Sequence, residues 1–231
     1  MQNKIVKSAK EISAIKKAAV IIDDTYDYIL SVVREGMTEI ELANLIEKKV
    51  LELGGSALSF PSIVAFGESG CEPHHVPTDK KLEKGVLITT DIGAVFDGYC
   101  SDFTRTFAFG EVGKEEKEIY EIVYQSQKLG LKAVGAKVNC KDVDTVCRDY
   151  IAKFGYGEFY IHNTGHGVGQ LIHEEPYLKQ ASDEVLENNM VVTIEPGIYL
   201  PARCGCRIED MIVVGEKSPV SRHATELIVV K

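Results

Sequence analysis

No apolar run near the start of the chain is long enough to cross a membrane or form a signal-peptide core. The longest, Ala18 to Ile22, is bracketed by Lys16-Lys17 and Asp23-Asp24. Positive charge is in deficit. Twenty-six Lys and Arg stand against 35 Asp and Glu, for a net charge of −9. Nucleic acid and anionic membrane are disfavoured as partners, because a phosphate surface is bound by clustered cations. Cysteines are not crowded. The six, Cys71, Cys100, Cys140, Cys147, Cys204 and Cys206, lack the short spacing of a disulfide scaffold and read as reduced thiols of a cytoplasmic protein. Cys204-Gly205-Cys206 has no second Cys/His pair nearby to complete a soft-metal site, so it reads as a loop of small residues. There is no Gly-, Pro- or Ser-rich linker, charge run or low-complexity tract, which argues for one domain. What remains is ordinary globular composition, 45% apolar and 26% charged over 231 residues. That length buries roughly 70% of the unfolded surface without help from metal or disulfide.

Two capping boxes mark the first elements. Ser8-Ala-Lys-Glu11 opens a helix whose apolar residues, Ile12, Ile15, Ala19, Ile22, Tyr26, Ile29 and Val33, recur every three or four positions and which ends near Gly36. Thr38-Glu-Ile-Glu41 opens a second that stops at Gly54-Gly55. From Leu58 to Gly110 β-branched and aromatic runs take over, with a hairpin folded at Asp97-Gly98. The order then recurs: helices from Lys114 to Ala133 and from Lys141 to Phe154, then extended segments around Tyr160, from Val191 to Tyr199, from Arg207 to Val214 and from Glu226 to Val230. Each half reads helix, helix, strands, as two lobes of one α+β domain.

Acids sit where strands disfavour them. A turn at Asp97-Gly98 pairs Asp91 with Thr104 and Asp102 with Gly93, to within a residue, bringing the two carboxylates close together. Glu195 and Glu209 are centred on Ala202 and should face each other across a second hairpin, about 5 Å apart at the β-carbons. For a lone acid a solvent-facing position is the default. Here Asp91 follows Val86-Leu-Ile88 and Glu195 follows Val191-Val-Thr-Ile194, near-continuous apolar runs typical of strands covered on both faces. Four buried carboxylates need cations, so a hard-cation site is expected. Between the acid pairs lie His162, His166 and His173, three imidazoles in twelve residues, flanked by glycines that admit close backbone approach. One of them could complete a site of four carboxylates and one nitrogen.

These residues resemble the pita-bread metallopeptidases, the family of methionine aminopeptidase, aminopeptidase P and prolidase, over essentially the whole chain. The resemblance is carried by Asp91-Ile-Gly, Gly98-Tyr-Cys-Ser-Asp102-Phe-Thr-Arg-Thr, Gly165-His166-Gly-Val-Gly, His173-Glu-Glu-Pro176, Ile194-Glu195-Pro-Gly-Ile-Tyr199 and Arg207-Ile-Glu209-Asp210. It implies a curved antiparallel sheet covered by helices in two pseudo-symmetric halves. It also implies two divalent ions held by Asp91, Asp102, His166, Glu195 and Glu209, with Asp102 and Glu209 bridging. Two such ions share a water, bring its pKa towards 7 and clamp a tetrahedral intermediate. Glu195 would double as proton shuttle, with Thr193 as its neighbour. His173 would contact the substrate carbonyl, and His74, in Pro73-His-His-Val-Pro-Thr-Asp79, would line the cleft.

His162, Tyr199 and Arg207, with Phe60-Pro-Ser-Ile-Val-Ala65, look like the proline-specific branch and imply substrate contacts. The expected activity is a metal-dependent exopeptidase that hydrolyses the N-terminal bond of short peptides, Xaa-Pro first, by a metal-bridging hydroxide. The alternatives are methionine aminopeptidase and a non-catalytic module that binds peptide in the same cleft. Four oxygens and an imidazole suit several ions; manganese is expected first, with cobalt, zinc or iron as alternatives. Residues 1–231 are expected to form a single catalytic domain without the N-terminal domain of proline-specific relatives. Short peptides are the expected partners, with a homodimer left open.

Overall fold

The computed structural model describes residues 5–231. Helix α1 (Ala9–Val32) begins where Ser8 and Glu11 cap each other's backbone, and α2 (Glu39–Glu52) begins the same way at Thr38 and Glu41. Their apolar faces put Tyr26, Ile29, Leu42 and Ile46 against Phe66, Ile88, Phe103 and Phe107. Those partners come from β2 (Ile63–Phe66), β3 (Val86–Ile92) and β6 (Phe103–Phe109), which with β13 (Val229–Val230) form a four-stranded sheet in the order β13-β6-β3-β2.

The β3–β6 hairpin turns on Asp97 and Gly98, whose φ values of 50° and 77° match a two-residue turn that follows the twist of the strands. The register is the expected one, with Asp91 facing Thr104 and Ile92 facing Phe103. One position further on, the ladder breaks. The chains re-pair as β4 (Ala94–Phe96) and β5 (Tyr99–Cys100), which join β1 (Ala57–Leu58) in a separate three-stranded sheet. Val95 faces Cys100, so the register runs through the break, and Gly93 and Asp102 face each other at a corner outside the ladder. The corner requires glycine, since a Cβ at Gly93 would lie 2.3 Å from the Ser101 carbonyl.

The second half repeats the plan. After α3 (Lys114–Ala133) and α4 (Cys140–Lys153) come β7 (Gly165–Gly167), β8 (Glu174–Leu178), β9 (Val191–Ile194) and β12 (Asp210–Val213), in the sheet order β12-β9-β7-β8. Strands β10 (Gly197–Leu200) and β11 (Cys204–Arg207) pair separately around Ala202, at φ 56°. Ile194 faces Asp210 and Gly197 faces Arg207. Glu195 and Glu209 therefore face each other at a second corner, as Gly93 and Asp102 do at the first. Ile119, Val123, Val143 and Cys147 of α3 and α4 pack on Val192, Ile194, Ile198 and Cys206. The start of α1 reaches this half too, where Ile15 and Ala19 meet Val168, Val191 and Met211.

Two expectations are corrected. The segment around Tyr160 is not extended. Gly155 at φ 85° leads into a 3₁₀ turn over Gly157–Phe159, and the Tyr160 ring lies under the Arg148 guanidinium at 4.4 Å. Cys204-Gly-Cys206 is buried strand rather than loop, because Gly205 packs directly on the backbone of Gly70. The sheets are antiparallel as expected, apart from the short β13, which runs parallel to β6. Among the described residues no helix is long and apolar enough to cross a membrane, and the six cysteines are free thiols.

Candidate metal centre

The two acidic corners meet. Glu209 N donates to the Thr104 carbonyl at 3.1 Å, and the Thr104 hydroxyl donates to Glu209 Oε2 at 2.7 Å, locking the second hairpin onto the first. His166 enters from β7. An added Cβ at Gly165 would lie 1.9 Å from the Thr193 carbonyl, and one at Gly167 would lie 2.3 Å from that of Glu175. Only glycines on both sides let the short strand sit this close to its neighbours. His166 Nδ1 lies 3.0 Å from the Gly167 carbonyl, which accepts only. Nδ1 therefore carries the hydrogen, and Nε2 faces Glu195 Oε1 at 3.3 Å and Asp102 Oδ2 at 3.5 Å. Asp102, His166 and Glu209 each offer a ligand atom within 4.8 Å of the others. Glu195 is held by the Thr193 hydroxyl at 3.1 Å, and the same oxygen accepts from His166 N.

The donors fit a cation. Asp91 and Glu209 each have one oxygen bonded to protein, Asp91 Oδ2 to Arg207 and Glu209 Oε2 to Thr104. Their other oxygens, Asp91 Oδ1 and Glu209 Oε1, are buried with no hydrogen-bond partner. Orphaned buried carboxylate oxygens are costly, and here they lie beside two further acids and an imidazole, an oxygen-rich set suited to divalent metal.

The electrostatics of the buried acids point the same way. Burial raises the pKa of Asp91, and Glu195 adds to the shift, although Arg207 opposes it. Asp102 and Glu209 are pushed well above the ordinary carboxylate range by burial, and then by neighbouring acids. Glu195 goes the other way. Burial would raise it, but His166 outweighs burial by hydrogen bond and charge and brings it to about 2. Burial disfavours the His166 imidazolium, yet Glu195 prevails and raises its pKa.

A cleft of about 530 Å³ opens over these groups, lined by all five candidate ligands together with Phe60, His74, His162, His173 and Arg207. That is the size of a small-ligand site. His74 and His173 are both exposed, and the His173 ring stands edge-on to His166 with centroids 4.5 Å apart. His162 and Arg207 are more committed than the sequence suggests. Arg207 Nη1 donates to Tyr199 Oη at 2.8 Å, and Tyr199 Oη meets His162 Nε2 at 2.7 Å. His162 Nδ1 meets the Asn163 carbonyl at 2.8 Å. Burial lowers the pKa of His162, so the chain runs from Arg207 through the Tyr199 hydroxyl to a neutral imidazole whose two nitrogens are both engaged.

The sequence did not reveal the supporting roles of several residues. Asp144, on α4, accepts from Thr164 N and Oγ1 and pairs with Arg148, whose guanidinium donates to the Tyr160 and His162 carbonyls. Behind the second corner, Arg105 is 1% exposed and bonds the Glu209 carbonyl and Asp210, which Gln127 also holds. Lys7 forms a buried ion pair with Glu174, next to His173. Asp144, Arg148, Arg105 and Gln127 are ordinary helix or strand residues in their local pattern and Lys7 precedes α1; only the long-range partner marks each.

Comparison with known proteins identifies relatives of the whole chain. The chain is 42% identical over 228 residues to an uncharacterized peptidase of Bacillus subtilis (strain 168), YqhT, covering 98% of this chain and 65% of that one. Its structure is similar to an Xaa-Pro dipeptidase from Bacillus anthracis, with a TM-score of 0.96 and 44% identity over 97% of this chain and 64% of the other. It is also similar to an X-Pro aminopeptidase from Thermotoga maritima, with a TM-score of 0.95 and 38% identity over 98% and 65% of the two chains. The chain thus spans just under two thirds of the length of these relatives. The α+β architecture in two halves is the pita-bread fold of the prolidases it resembles. The family model for metallopeptidase family M24 matches residues 13–216, and the chain belongs to that family.

Proposed function

We propose that this protein is a two-metal exopeptidase that releases the N-terminal residue of short peptides, with Xaa-Pro as its preferred bond. The observation that carries the reading is the pair of orphaned oxygens, Asp91 Oδ1 and Glu209 Oε1, where two acidic corners and His166 meet at the floor of a peptide-sized cleft. The solved relatives named as Xaa-Pro dipeptidase and X-Pro aminopeptidase support the substrate class. Asp91, Asp102, His166, Glu195 and Glu209 would hold the ions, manganese being the first to test. When bound, the ions supply Lewis acidity and a water acidified enough to attack the peptide carbonyl.

The chain's own groups do the rest. Glu195, ionised at neutral pH and oriented by Thr193, takes a proton and delivers it to the leaving nitrogen. His173 stands on the cleft wall, where it donates to the substrate carbonyl, and His74 lines the same cleft. Arg207, Tyr199 and His162 form a rigid side to the cleft that orients the substrate beyond the scissile bond. Free thiols and a net charge of −9 fit a cytoplasmic enzyme acting on peptides rather than nucleic acid, and a homodimer is the assembly to look for. The deciding assay compares hydrolysis of an Xaa-Pro dipeptide, an Xaa-Pro tripeptide and a Met-Ala-Ser peptide with Mn²⁺, Co²⁺ or Zn²⁺ added. Preference for the Met peptide would overturn the substrate reading, and no hydrolysis of any of the three would overturn the enzymatic one.

A further inference from the structure

One wall of the cleft is irregular backbone. Pro73, His74, His75, Val76 and Pro77 line it, following a 3₁₀ turn over Gly67–Cys71. The side chain that closes this segment comes from outside the cleft. Glu39, the first residue of α2, is 0% exposed. Its Oε1 accepts from Phe66 N at 2.9 Å. Its Oε2 accepts from Thr78 N at 2.9 Å and Thr78 Oγ1 at 2.7 Å, and meets His75 Nε2 at 2.8 Å. Phe66 and Thr78 flank residues 67–77, so one carboxylate closes them into a loop and also grips His75 within it.

Burial would raise the Glu39 carboxyl, but the bonds from His75, Phe66 and Thr78 outweigh it and hold the pKa below the ordinary value. The anion is further favoured by its place at the N-terminal end of α2. The loop it closes leans on functional parts. The Pro73 carbonyl accepts from Arg207 Nη1 at 3.3 Å. A Cβ at Gly205, on β11, would lie 1.8 Å from the Gly70 carbonyl, so the loop is seated directly on the strand that carries Arg207.

We propose that Glu39 is a positioning residue for peptide binding: it buckles the 67–77 wall so that His74 and the Pro73 carbonyl stay fixed over the centre. The proposal rests on the peptidase reading of the cleft and adds to it a residue that touches neither substrate nor metal. Glu39→Gln tests it, because the amide keeps the shape but replaces an acceptor with a donor facing N–H groups. In the Mn²⁺-loaded full chain, KM for an Xaa-Pro dipeptide is expected to rise about tenfold or more, the loss of a charge-assisted hydrogen bond, with kcat within about threefold. Mn²⁺ affinity by calorimetry should not change. Amide exchange over residues 66–78 should accelerate about tenfold while the rest of the chain keeps its wild-type rates. Thr78→Val, which removes only the hydroxyl donor, should shift both readouts the same way by less, and it carries the test if Glu39→Gln does not fold. Wild-type exchange over 66–78, or an unchanged KM with faster exchange, would overturn the proposal. A wild-type chain that neither hydrolyses nor binds the dipeptide overturns the peptidase reading instead, and the exchange rates still decide whether Glu39 holds the wall.

Discussion

The Arg207 guanidinium is bound to the Asp91 carboxylate at 2.8 Å, Nη2 to Oδ2, which ties a residue expected to read substrate to a candidate metal ligand. Arg207 opposes the rise that burial imposes on the Asp91 carboxyl. Arg207→Met removes that opposition, so protons compete better with metal for Asp91. Mn²⁺ affinity measured by calorimetry is expected to fall about tenfold or more at pH 6.5, one pKa unit of lost interaction, and to recover as pH is raised to 8. Unchanged affinity, with a dipeptide penalised more than a tripeptide, would instead assign Arg207 to the substrate carboxylate.

Ligands and cleft-wall groups separate by metal content. Asp102→Asn should leave fewer than two ions per chain on metal analysis, and should cost more than the ~100-fold seen when only an outer partner of a ligand is lost. His173→Ala should keep its metal while losing ~10²–10⁴ in kcat/KM. His162→Ala should also keep its metal but lose less, since both ring nitrogens already bond protein. A His173 variant purified without metal would move His173 into the ligand set.

The buried acids fix a pH dependence of stability. Asp91, Asp102 and Glu209 have folded pKa values above their ordinary ones, and so has His166. Each such group stabilises the fold below its unfolded pKa, and that contribution is lost as pH rises through the folded value. Metal-free protein should therefore lose stability as pH climbs above the ordinary carboxylate range, whereas bound cations reward the ionised form. The gap in Tm between Mn²⁺-loaded and chelator-treated protein should widen from pH 5 to pH 8. A gap that stays flat would mean that these groups are not the ones bound by metal.

Arg105 is the support most exposed to failure. It is 1% accessible and pairs with Asp210 at 2.7 Å. Arg105→Met leaves that acid buried and unmatched, and should destabilise the fold by about 3–5 kcal/mol in denaturant unfolding. Adding Asp210→Leu should recover part of the loss. A single variant as stable as wild type would show that water reaches Asp210.

Much of the site was legible because strand pairing is local arithmetic. Asp97-Gly98 fixes the first hairpin, and symmetry about Ala202 fixes the second, so the register of Asp91, Asp102, Glu195 and Glu209 follows from spacing. The capping boxes likewise place the starts of α1 and α2 to within a residue. Local pattern misled where glycines interrupt it, at Tyr160 and at Cys204-Gly-Cys206, since their outcome depends on what packs against them.

The sequence by itself determined two helix-helix-strand halves, two hairpins with acids at matched positions and a glycine-flanked histidine, because helix periodicity, capping and turn geometry act over a few residues. Only the tertiary structure decided that both ladders break at the acids and that the corners lock through Thr104 and Glu209. It alone joined Arg207 to Asp91 and brought Glu39 from a helix end to the ends of a loop about thirty to forty positions away. Those contacts cross from one element or half to another, and a buried carboxylate takes whichever donors the packed chain brings to it.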